Sequence, residues 1–99
     1  MEEIRSIIEA LIRIAEPDLV ILHGSKANVA EGNVHGVSLC VICPCDNKRE
    51  LLRRLYLSVE SDISFDLLLY TPAEWHELTA DTQSRASKIL RNGTVLYER

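Results

Sequence analysis

Two short apolar runs set most of what this chain can become: Leu19-Val20-Ile21-Leu22 and Val37-Ser38-Leu39-Cys40-Val41-Ile42. Both are rich in β-branched residues and too short for independent helices, so they read as strands, the second closed by Pro44. Gly24-Ser25 stands just past the first run, and Gly36-Val37-Ser38 leads into the second after ten intervening residues. Small residues after a strand let backbone amides approach a phosphate, and side chains two apart on a strand project from one face. Positions 36 and 38 are therefore expected to face whatever Gly24-Ser25 cradles. A short helical turn is expected after Gly24-Ser25, because Lys26-Ala27 carries no breaker. Residues 30–36, with their Gly and Asn positions, read as a loop.

The rest of the chain alternates helical and extended patterns. Ile4, Ile7, Ile8, Leu11 and Ile14 recur at helical steps, making an amphipathic first helix that ends at Pro17. Asn47 with Glu50 marks a capped helix start, with Leu51, Leu52, Leu55 and Val59 as its apolar stripe. Ile63 to Tyr70 reads as a third strand, and Thr71-Pro72-Ala73-Glu74 as another helix start with a capping box and proline at the first helical position. A last helix over about 82–91 stops at Asn92-Gly93 in a left-handed turn, before a short strand at Val95-Leu96-Tyr97. The order α-β-α-β-α-β-α-α-β predicts an α/β domain: a small mixed β-sheet with helices packed mainly on one face.

At 99 residues the chain is expected to form a single domain over 1–99 with one two-layer core. A hydrophobic content of 46 % with 26 % charged residues is ordinary for a globular chain and excludes general disorder. The net charge of -4 argues against general nucleic-acid binding, which needs several phosphates neutralised. Lys48, Arg49, Arg53 and Arg54 cluster at helical spacing and read as a solvated face. No apolar run is long enough to span a bilayer, so no membrane association is expected. The acidic, amphipathic start lacks a signal-peptide pattern, and reduced cysteines and a cytoplasmic location are the expectation. Cys40, Cys43 and Cys45 lack a second ligand pair for zinc.

The layout resembles the minimal nucleotidyltransferases of the DNA polymerase beta-like superfamily. Gly24-Ser25, the ten-residue gap and positions 36 and 38 match the family's Gly-Ser and Asp-x-Asp. Lys26-Ala27 stands where the family has a basic residue and alanine. Asp66 in SFDLLLYTPAEW matches its third acid, and ILRNGTVLYER looks like its last helix and strand. The resemblance implies Gly24, Ser25 and Lys26 as nucleotide-binding residues and Asp66 as the residual catalytic acid and metal ligand. It departs at the chemistry: Gly36 and Ser38 replace both aspartates, and His23 stands where the family has an aromatic or aliphatic residue. Two divalent cations need carboxylate oxygens in their shells. Losing that clamp costs several kcal/mol of transition-state stabilisation, on the order of a thousandfold in rate. His23, His35 and Asp66, with Glu31 in the loop, are the residues from which a substitute metal shell would have to be built.

The resemblance thus implies a nucleotidyltransferase-like domain that is catalytically impaired or inactive. Its role would be to bind an ATP-like nucleotide or a small all-helical, HEPN-type partner, as in toxin–antitoxin pairs. No cofactor is expected, with Mg2+ entering only where residual activity survives. An active metal-dependent nucleotidyltransferase acting on a protein or small-molecule acceptor is the alternative, a structural subunit with a closed pocket is a third, and a homo-oligomer is compatible with each.

Overall fold

The computed structural model describes residues 2–28 and 33–99, apart from the side chains of residues 2, 26–28, 33 and 34. Helix α1 (Glu2–Ala15) leads into β1 (Leu19–Asn28), which turns back antiparallel as β2 (Asn33–Ile42). Helix α2 (Lys48–Ser58) then crosses to β3 (Ser64–Tyr70), which pairs with β2 in parallel. Helices α3 (Pro72–Thr79) and α4 (Arg85–Asn92) follow, and β4 (Thr94–Glu98) returns antiparallel beside β1. The sheet order is β3-β2-β1-β4, so the chain is a small α/β domain built on a mixed sheet.

The expected helix between the first two strands is not formed. Lys26 to Asn28 extend β1, and Asn33 to Gly36, expected as loop, begin β2. Two helix-compatible residues are too few to nucleate a turn, whereas a hairpin satisfies every backbone group it pairs. Residues 29–32, including Glu31, lie outside the described residues.

Strand alternation divides the core between the two sheet faces. Val20, Leu39, Val41 and Leu69 meet Ile7, Leu11 and Leu55 in the main cluster, beneath α1 and α2. The apolar face of α1 is thus consumed by the domain's own core. Ile21, Cys40 and Ile42 point the other way and form a smaller cluster with Ile89 of α4, against which Trp75 of α3 packs. Trp75 is half-buried, its ring 5.6 Å from that of Tyr70.

The caps follow local chemistry. The Asn47 side chain accepts from the Glu50 amide, and Thr71 and Glu74 form the reciprocal capping box behind Pro72. Glu74 also meets Lys48 at 2.7 Å, tying the start of α3 to the start of α2. Two helix ends differ from expectation. Glu16, not Pro17, closes α1, in a left-handed conformation with φ 48. Gly93 ends α4 in an extended conformation, φ -80, rather than a left-handed one. A Cβ there would lie 2.6 Å from the Ile89 carbonyl oxygen and closer still to Ile21 Cγ2. Close packing onto β1, not a positive φ, is what requires glycine.

Candidate functional site

The face of the sheet that carries the smaller cluster is only half covered. Beyond Ile21, Cys40 and Leu68 the apolar residues give way to Gly24, Gly36, Ser38, Ser64 and Asp66. The strand register aligns these in two rows. Gly24, Ser38 and Asp66 lie side by side across β1, β2 and β3, and the next row is Lys26, Gly36 and Ser64. Same-face placement is direct at the glycines. A Cβ on Gly24 would meet Ser38 Cβ at 3.4 Å, and one on Gly36 would meet the Ser64 carbonyl oxygen at 3.3 Å. The result is a cavity of about 260 Å³ lined by Gly24, Ser25, Gly36, Ser38, Ser64 and Asp66, with the strand at Val37.

A bulge puts Gly24 on this face. Leu22 pairs with Leu39 and Gly24 with Ser38, so His23 is one extra residue in β1. Without it, Gly24 would follow Val20 and Leu22 toward the main core. A second shift, between the Lys26–Gly36 and Ala27–Val34 pairs, makes His35 the extra residue in β2. Gly24 and Ser25 lie inside a strand paired with β2, rather than in a loop. What the glycines offer is open space above the sheet.

The sequence-expected residues are therefore distributed as follows. Gly24, Ser25, Gly36, Ser38 and Asp66 share the cavity, and Lys26 pairs opposite Gly36 with its side chain outside the described residues. Ser64 was not anticipated as a site residue, although the period-two alternation of SFDLLLY places it on the face of Asp66.

His23 is the bulged residue just before Gly24. Burial, and then the positive charge of Arg85, hold its imidazole below the usual value, while a hydrogen bond to the Leu39 backbone opposes the shift. It is therefore neutral at pH 7. The Cys40 thiol is pushed up to about 12 by burial, against the pull of Arg85, and Cys43 up to about 11 by burial and then by Cys45 and Asp18. Neither is a thiolate nucleophile near neutrality. Cys40 and Cys43 also lie in opposite core clusters and do not converge.

Two-metal chemistry does not fit the residues present. Among the described residues the cavity lining supplies one carboxylate, Asp66; Ser38 beside it carries a hydroxyl, and Gly36 in the next row a hydrogen. Among the described residues no group of three His, Cys, Asp or Glu side chains is placed to hold a metal ion, so His23, His35 and Asp66 do not assemble a substitute shell. Nor, among these residues, is any helix long and apolar enough to cross a membrane.

The fold and site together define a small mixed-sheet α/β domain with a cleft of small residues and one exposed carboxylate over one half of the sheet. Comparison with models of known families, with curated proteins and with solved structures gave no match.

Proposed function

We propose that this is a nucleotidyltransferase-like binding domain that holds a nucleotide over the Gly24–Ser38–Asp66 row without catalysing two-metal transfer. The observation that carries it is the open half-face itself. Two glycines leave room for a ligand, and Ser38 and Ser64 line it with hydroxyls able to donate to phosphate or accept from ribose. A lone carboxylate beside a serine and a glycine supports binding rather than catalysis, because no second acid shares the charge of a cation pair.

Calorimetric titration with ATP in EDTA and in Mg2+, with pyrophosphate release followed in parallel, tests this. Comparable affinity in both buffers with no pyrophosphate released is the expected outcome. Binding that requires Mg2+ and releases pyrophosphate would establish the active alternative instead. Absence of ATP binding in either buffer would remove the nucleotide from the account altogether.

A further inference from the structure

A second cleft lies at the other end of the same sheet face. Cross-strand partners share a face, and Ile42, Leu19 and Glu98 stand in one row across β2, β1 and β4. Ser38 and Ile42 are four residues apart on β2, so about 13 Å separates this row from the Gly24–Ser38–Asp66 row. Cys40, buried in the smaller core cluster, stands between them. Helix α3 forms the opposite wall through Pro72, Trp75 and His76, and the space between is a cleft of about 610 Å³. Its apolar floor is Leu19 and Ile42. Trp75 packs against the smaller cluster and tilts against Tyr70, yet it stays only half-buried along the cleft wall.

The charges of the cleft are unequal. Asp18, Glu98 and Arg99 line it. Arg99 Nη1 lies 3.9 Å from Asp18 Oδ1 and donates to the Glu16 carbonyl oxygen at 3.5 Å, so the Asp18 and Arg99 charges offset each other. Glu98 is exposed, and among the described residues its carboxylate has no hydrogen-bonding or ionic partner. An indole and an uncompensated carboxylate therefore share one apolar-floored cleft.

We propose that this cleft binds a guanidinium group, presented as an arginine side chain by a partner peptide and held by the Trp75 indole and the Glu98 carboxylate. The proposal is independent of the nucleotide reading, which concerns the other end of the face. A guanidinium is planar and weakly hydrated; it stacks on aromatic rings and pairs with a carboxylate through two parallel hydrogen bonds. The methylene stem of arginine suits the apolar floor at Leu19 and Ile42. An anionic ligand would meet Glu98, and a purely apolar one would cover that carboxylate without pairing it.

Trp75 is the chain's only tryptophan, so its fluorescence reports on this cleft directly. The probes are glycine peptides capped at both ends with a single central arginine, lysine or citrulline, citrulline keeping the shape of arginine without its charge. The arginine peptide should change the Trp75 emission saturably. Cation–π and charge-assisted contacts at exposed sites each carry a few-fold in affinity, so citrulline should bind at least about fivefold more weakly, with lysine between the two. Glu98→Gln, first checked for an unchanged thermal midpoint, should weaken the arginine peptide at least about threefold and leave citrulline unchanged. Arginine and citrulline peptides that bind the wild type alike overturn the proposal, and so does an arginine affinity that Glu98→Gln does not alter. The absence of any saturable change in emission at millimolar arginine peptide overturns it as well.

Discussion

Replacing Ser38 by aspartate would place a carboxylate directly opposite Asp66, in the neighbouring strand and on the same face. The pair would sit about 5 Å apart on a surface that is half-exposed at Ser38 and exposed at Asp66. At that separation two like charges repel by about 0.8 kcal/mol in bulk water and by a few-fold more where the dielectric falls. Ser38→Asp should thus destabilise the metal-free domain by about 1 kcal/mol, lowering the thermal midpoint by roughly 4–8 °C for a domain of this size. Mg2+ should reverse the loss, because a cation shared by two carboxylates binds the folded state only. With a millimolar dissociation constant, 10 mM Mg2+ returns about 1.4 kcal/mol. Thermal unfolding in EDTA and in 10 mM Mg2+ at matched ionic strength measures both quantities.

Wild type should show little response to Mg2+ in the same experiment. Gly36→Asp should be the harder of the two substitutions, since its Cβ meets the Ser64 carbonyl oxygen at 3.3 Å and its carboxylate would be added beside another oxygen. A Ser38→Asp protein with an unchanged midpoint in EDTA and no Mg2+ response would refute the argument. It would mean that positions 38 and 66 do not present their side chains to one another.

Four other substitutions test the framework around the site. Gly93→Ala should cost about 2–4 kcal/mol, combining overpacking against Ile21 and the Ile89 carbonyl with strain on the Gly93 amide bond to that carbonyl. Gly24→Ala, whose nearest neighbour would be at 3.4 Å, should cost under about 1 kcal/mol; denaturant titration of both variants separates a steric requirement from a general intolerance of alanine. Glu16→Gly should raise stability by about 0.5–1 kcal/mol by relieving the left-handed residue at the end of α1, and a lower denaturation midpoint would contradict it. Lys48 first, and then the Thr71 amide, hold the Glu74 carboxyl below its ordinary value, so its contribution is present above about pH 4.3 and fades as pH falls through the lower, folded value. Both partners are more than a third exposed, so Lys48→Met should cost at most about 1 kcal/mol at pH 7, and the deficit should shrink at pH 3 in the same urea assay.

What the sequence made legible was local. The stripe of α1, the Asn47 cap and the Thr71-Pro72-Glu74 box each depend on residues within one turn of one another, and each appears where its spacing places it. The sheet class followed from the same periodicities. The hairpin of β1 and β2 was not legible, because Lys26-Ala27 is compatible with either state and the choice is made by pairing with residues 33–36. Gly93 shows a subtler limit: a glycine after a helix was legible as a stop, but the reason for it lies in Ile21, a residue of another element.

The site illustrates why spacing identified its members without revealing how they meet. Unbroken alternation from Val20 would turn Gly24 into the main core, beside Leu22. The extra residue at His23 reverses the phase, so Gly24 emerges beside Ser38 and Asp66 instead. A histidine in an otherwise apolar run, followed by glycine, was the one local sign of such a bulge. The acid of the cleft, Asp66, thus stands where the alternation of its own strand places it, whereas Gly24 reaches the same row only through a bulge that pairing with β2 sets.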